Sequence, residues 1–514
     1  MVKQKIGKHI YIYEAEGVWD PEKKQSRQKR KYIGKLDPDS GEIITPRKSV
    51  YPRSVRDFGA VYLLKALADN YGLTSILNDV LGGEAPDLFN MAAFQLCEGK
   101  PFYLMKSWLE GTHIDSMSVA DSQDISRFFT DLGQRDSDRR RCIERWSLGQ
   151  PASKAVAFDI TSLSSHGKLI DLLEWGYNRD GESLPQINLG IVMRIPDGIP
   201  LSYHIYPGSI TDVTTLSNIV TELKAQRISI RRFVLDRGFY SIGNIRELSQ
   251  ARIPFIMPMP FRSHLAGQLL SDSKAALQSP MNAFVHEKQT MFHTSFPVDL
   301  GSYSCQAHVY LDEERKARET NRLIHRLTEL ERVVARQKCP TMDEALEIIR
   351  DKGQGLDKLF TVTMENGQAV LKRKPKKLSA MMNRYGKIIL VAKANNLNRE
   401  ELIHLYRRRD MIEKLFDVLK NEFDSNRIRI HSRDALEGRL FVMFLSMILY
   451  FIIQTRIHES DLLKSYSVSE ILSKLKILRS VQMSNGKSHL TEITKKQRDI
   501  YEAFQVPLPK DPCY

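Results

Sequence analysis

Cysteine and tryptophan are scarce in this chain, with five and four among 514 residues. Cys97, Cys142, Cys305, Cys339 and Cys513 are odd in number, scattered, and never in CxxC spacing. That pattern argues against a disulfide framework and a thiolate zinc site, and for a reducing compartment. The start, MVKQKIGKHIYIYEAEG, is basic but has no apolar core segment, so no secretory signal is expected. The longest apolar run, Leu440–Ile453, is 14 residues. It falls short of the roughly 20 that cross a bilayer and reads as a buried core helix, so a membrane partner is not expected. Internal repeats and long low-complexity tracts are also missing.

What the chain does have is positive charge. Its formal net charge is +14, on a background of 42% hydrophobic and 27% charged residues that is ordinary for a globular protein. The excess favours a polyanionic partner, with nucleic acid ahead of a membrane because no basic amphipathic anchor stands out. One basic run, KKQSRQKRK from Lys23 to Lys31, reads as a solvated loop able to touch phosphates without reading bases.

The length is too great for one core. Residues 1–54 alternate short β-like runs with turn chemistry, and residues 55–150 carry helical apolar spacing, suited to DNA binding or dimerisation. From residue 151 to 260 the pattern becomes strands: Ala155–Thr161, Gln186–Arg194, Pro200–Tyr206, Arg232–Asp236 and Pro254–Met257, with helices among the last of them. Residues 261–385 interrupt this order, with a charged helix whose seam is Leu323, Leu327, Leu330 and Val334. A strand at Lys387–Ala392 resumes it, so 386–456 is grouped with 151–260. Residues 457–514 read as a helical region, a candidate for dimerisation. The fold class expected is α/β: a mixed sheet with flanking helices, an insertion, and N-terminal β and helical parts.

Two aspartates stand where strands end, Asp159 in FDIT and Asp236 in VLDRGFYS. Apolar strands disfavour Asp, and strand ends are where α/β sheets meet ligands. If the first and fourth strands are neighbours, the two carboxylates approach each other, and Arg237 adds a cation. Further on, LYRRRDMIEKLFDVLKNEF places Tyr406, Arg409, Glu413 and Lys420 at spacings of 3, 4 and 7. At about 100° per residue these fall on one side of a helix. Such a face is ordinarily solvated and ion-paired. With Asp159 and Asp236, however, Glu413 would make a third carboxylate. Converging carboxylates raise one another's pKa unless a divalent cation such as Mg²⁺ or Mn²⁺ neutralises them.

These segments, together with YNRDGESLPQINLGIV and YPGSITD, resemble the DDE transposases of bacterial insertion sequences that carry the Y-x2-R-x3-E-x6-K signature. The resemblance implies a ribonuclease-H-like domain with an insertion before the Glu helix. It implies that Asp159, Asp236 and Glu413 are catalytic and hold two Mg²⁺ ions, with Mn²⁺ able to substitute. Tyr406, Arg409, Lys420 and Arg237 would contact DNA. The implied partners are transposon terminal repeats and target DNA, the implied assembly is a homodimer, and the implied location is the prokaryotic cytoplasm, at the nucleoid. Residues 261–385 lack the Trp with which better-known relatives stack a flipped base. Phe292, Phe296 and Tyr303 are the aromatic substitutes there. A catalytically silent DNA-binding derivative and a nuclease without strand transfer are the alternatives.

Overall fold

The structure, a computed structural model, describes all residues except 21–24, 46–49, 115, 116, 119, 120, 152–154, 168, 179, 180, 196, 211, 229, 338, 340, 354, 394–396, 424–426 and 512–514. Lys23, Lys24 and Cys513 therefore lie outside the described residues. The chain divides into two compact units. One comprises residues 1–57, 478–493 and 510–514; the other comprises 58–477 and 494–509.

The smaller unit is β-structured. Its long hairpin pairs His9–Asp20 with Gln25–Leu36. Residues 25–31 of the basic run are thus strand, not the loop expected. The register supplies the reason: Lys31 faces Glu14 and Lys29 faces Glu16, and opposite charges across a strand pair favour pairing. Arg479–Met483 and Ser488–Leu490 form a second hairpin, with Asn485-Gly486 in its turn and Gly486 at φ +84°. Residues 457–514 are therefore only partly helical. An Asn-Gly pair is a strong hairpin signal, and it overrides the helical reading here.

The larger unit is built on a ten-stranded mixed sheet. In chain order its strands are β1 (Ala155–Ser165), β2 (Gln186–Ile195), β3 (Pro200–Pro207), β4 (Phe233–Leu235), β5 (Phe255–Pro258), β6 (Ala283–His286), β7 (Gln289–Leu300), β8 (Tyr303–Asp312), β9 (Lys387–Lys393) and β10 (Arg427–Ile428). Their spatial order is β6-β7-β8-β9-β5-β4-β1-β2-β3, with β10 added beside β1. β1, β4 and β5 run parallel; β2 is antiparallel to β1, and β3 is antiparallel to β2. β1 and β2 are buried along their whole length, as central strands covered on both faces must be.

Alternation along β1 decides which face Asp159 takes. Phe158 and Ile160 enter one core with Leu216, Ile219 and Leu223 of helix Asp212–Ala225 and Ile245 and Leu248 of helix Ile242–Gln250. Asp159 points to the opposite face. That face is covered by the helix Arg433–Glu459, where the Phe444 ring lies 5.2 Å from that of Tyr203. This helix is long and apolar enough to cross a membrane, but every residue from Leu440 to Ile453 is buried in the protein. Gly133 and Gly438 let helix Ser122–Gln134 lie directly against it. A Cβ on Gly438 would sit 2.0 Å from the Phe129 carbonyl oxygen, and one on Gly133 would sit 1.8 Å from that of Asp434.

The stretch read as an insertion, 261–385, contributes three strands, β6–β8, to the main sheet. The cause is backbone pairing: β8 zips antiparallel onto β9 from Gln306↔Ala392 to Leu311↔Lys387. Beyond Asp312 the chain makes a core of its own. Leu323, Leu327, Leu330 and Val334 of helix Glu313–Gln337 pack with Ile349, Phe360 and Leu371.

Candidate active site

Strand register brings the two aspartates together. Ala157 pairs with Val234 and Phe158 with Leu235, so Asp159 and Asp236 are the next residues on neighbouring parallel strands. Asp159 is still within β1 and is buried, its backbone fixed on both sides. Asp236 leaves the sheet into a 3₁₀ turn, Arg237–Phe239, and is 41% exposed. Arg237 is exposed beside it.

The third carboxylate comes from the helical stretch after β9. It opens with an Asn398–Glu401 capping box and runs Arg399–Arg408. It tightens at Arg409, where the Arg409 N–H donates to the Tyr406 carbonyl (3.1 Å) and the Ile412 N–H to the Arg409 carbonyl (2.9 Å). It continues as Asp410–Asp417, with Ile412, Leu415 and Phe416 buried, and widens into a π-helix over Val418–Glu422. A single ideal helix was expected, so the angular count is corrected at its end. A π-turn holds more residues than an α-turn, and Lys420, half-buried, lies within it. Insertions of this kind recur at functional sites.

Arg409 ties the acids into one cluster. Its guanidinium is 2.6 Å from Glu413, 3.5 Å from Asp159 and 3.5 Å from Asp236. It is only 6% exposed, whereas Glu413 is 59% exposed. Burial works to lower the Arg409 pKa, but Asp236, Glu413 and Asp159 outweigh it and leave the pKa raised. The Arg409 Nε has no hydrogen-bond partner among the described residues. The guanidinium carbon lies 5.9 Å from the centroid of the Tyr406 ring. Burial raises the Tyr406 pKa, so the phenol keeps its proton. Asp410, which the sequence reading passed over, is also shifted upward, by burial and by Glu413.

All four residues of the spaced motif are thus near or on one helical stretch, and three carboxylates from separate segments meet one cation. The donor set is all oxygen, the kind hard divalent ions prefer over zinc. Arg409 stands in for such a cation. The carboxylate oxygens do not draw as close together as those of a preformed metal cage. Among the described residues, the only trio of ligating side chains within 4.8 Å of one another is His286, Glu287 and His404.

Asp236 and Arg237 open onto a cavity of about 640 Å³. Tyr406, Arg408, Lys414 and Lys387 also line it. The wall mixes these cations with Asp236, Glu287, Asp312 and Asp410. Arg407, which also lines it, is held by Asp312 at 2.8 Å and Gln289 at 3.2 Å.

A family model described as the transposase DDE domain matches residues 150–449. No curated protein matches the chain in sequence. Among solved structures, a piggyBac transposase synaptic complex with hairpin DNA is similar at 11% identity and a TM-score of 0.35. The match covers 80% of this chain and 70% of that one. A Drosophila P element transposase strand transfer complex is similar at 10% identity and a TM-score of 0.20, covering 76% and 90%.

Proposed function

The chain belongs to the transposase DDE-domain family, and from that premise we propose that it is a cut-and-paste transposase. In this reading the β1–β5 part of the sheet is a ribonuclease-H-like catalytic core. Its adjacent parallel β1 and β4 support that assignment. The domain division follows: a β-structured basic unit, a helical DNA-binding or dimerisation part, the core, and a helix-rich insertion. The observation that carries the reading is the convergence of Asp159, Asp236 and Glu413 on Arg409.

Asp159, Asp236 and Glu413 would hold two Mg²⁺ ions. When bound, these would supply charge neutralisation and an activated oxygen nucleophile for in-line displacement at phosphorus. The chain's own residues do the rest. Asp159 gives a rigid anchor, because a central strand cannot shift it. Arg409, with a buried Nε–H lacking an acceptor, turns its donors to a phosphate of the transposon end. Tyr406, kept protonated, donates its hydroxyl to a phosphate oxygen. Lys420 and Arg237 add cations along the backbone. Two ends held together call for a homodimer on DNA in the prokaryotic cytoplasm.

The test uses labelled transposon-end DNA, a target plasmid and Mg²⁺. The wild-type protein cuts the end and joins it to the plasmid, and Asp236→Ala does neither. Cutting without joining would favour a nuclease, and binding without cutting a silent derivative. Cutting by Asp236→Ala at near wild-type rate would overturn the assignment.

A further inference from the structure

We propose that His286, Glu287 and His404 form a second metal site, of the zinc type, which pins the edge hairpin of the main sheet to the helix carrying Tyr406. The three ligand atoms all lie within 4.8 Å of one another. Glu287 Oε1 is 3.9 Å from His286 Nε2 and 3.8 Å from His404 Nδ1. The two imidazoles stand edge to face, 5.8 Å between centroids. A tetrahedral ion with ligands at about 2.0–2.1 Å separates its donors by roughly 3.3 Å. The separations of 3.8 and 3.9 Å exceed that by about half an ångström.

An independent observation points to a ligand. His286 is 7% exposed, and its Nε2 has no hydrogen-bond partner among the described residues. A buried ring nitrogen with nothing to bond is costly, and coordination removes the cost. The backbone agrees. Glu287 and Lys288 form the two-residue turn between β6 and β7 at φ +50° and +67°. That turn favours Asn and Gly, and here it carries a carboxylate instead. Arg407, a cation that acts on His286, is engaged by Asp312 and Gln289.

Two imidazoles and one carboxylate select a borderline ion such as Zn²⁺, whereas the all-oxygen cluster at Arg409 selects a hard one. Three protein ligands leave a fourth position open. Glu287 lines the same cavity as Asp236 and Tyr406. Edge hairpin and helix are also joined by Arg407 donating to Gln289 (3.2 Å) and by the Arg399 guanidinium, 4.9 Å from the Phe284 ring centroid. An ion here would fix the start of the segment that presents Tyr406, Arg409 and Glu413.

The full-length protein, stripped by chelation, is titrated with Zn²⁺ against a chromophoric competitor in excess Mg²⁺. One Zn²⁺ per chain is expected. His404→Gln, at a half-exposed position, is expected to weaken binding by more than about 100-fold, beyond the loss from changing a residue that only orients a ligand. Glu287→Gly is expected to weaken it too, while easing the turn, and it carries the test if circular dichroism shows His404→Gln misfolded. Asp159→Asn is expected to keep the zinc. Absence of Zn²⁺ binding, wild-type affinity in both ligand variants, or loss of the ion with Asp159→Asn would overturn the proposal.

Discussion

Asp159→Asn will bind transposon-end DNA with near wild-type affinity and cut it at least about 10³-fold more slowly. The figure follows from the several kcal/mol of transition-state charge stabilisation that a held ion supplies, at about 1.4 kcal/mol per decade. Asp159 is the most sensitive of the three acids for a structural reason. It is 4% exposed, on a strand paired on both sides, and its own Oδ1 accepts the Ile160 N–H at 2.8 Å. No backbone adjustment can bring another donor to its place. Asn keeps the volume and leaves Asp236 and Glu413 beside Arg409. DNA affinity rests mainly on cations that meet phosphates, and the substitution removes none of them. Single-turnover cleavage and gel-shift binding, read together, check the split. Cleavage within tenfold of wild type would mean that Asp159 holds nothing the reaction needs.

Arg409→Ala will destabilise the metal-free protein by about 2–4 kcal/mol and make its stability depend on divalent ions. Removing one partner from a buried ion cluster ordinarily costs about 3–5 kcal/mol. The lower range applies because Asp236 is 41% and Glu413 59% exposed, and water compensates them in part. In the wild type the guanidinium competes with any ion for the three carboxylates. In the variant that competition is gone. Manganese should therefore raise the melting temperature of Arg409→Ala more than that of the wild type, since a tighter ligand stabilises more at equal concentration. End cleavage should fall as well, because the donors for the phosphate are lost. Thermal melts with and without Mn²⁺ read the first effect directly. Equal shifts in the two proteins would show that Arg409 does not occupy the position of a cation.

Much of the larger unit was legible in the chain. The strands that carry Asp159 and Asp236 announce themselves through apolar β-rich runs, and the Leu323–Val334 seam through its helical period; but Asp159 lies mid-strand in Ala155–Ser165 and not at the strand end expected, because pairing with β2 extends the strand to Ser164. Pairing was not legible. Which strand neighbours which depends on long-range hydrogen bonding, so the joining of β8 to β9, which makes part of the insertion into sheet, has no local signal. The spaced motif lies on one helical stretch of the fold, but spacing gives a face and not what the face meets. Arg409 reads as a phosphate contact in sequence; in the fold it lies first of all between carboxylates. The π-segment at Val418–Glu422 arises from packing and cannot be counted from residue spacing. His286 and His404 are far apart in the chain, in no metal-binding spacing, and only the fold joins them. The Asn485-Gly486 hairpin, by contrast, was signalled locally and is a matter of reading.

The most direct test is anomalous scattering from crystals soaked in Mn²⁺. Manganese is expected bounded by Asp159, Asp236 and Glu413, with the Arg409 guanidinium withdrawn from at least one of them. Crystals in which Arg409 still bridges the three carboxylates, with manganese elsewhere or not bound at all, would contradict it.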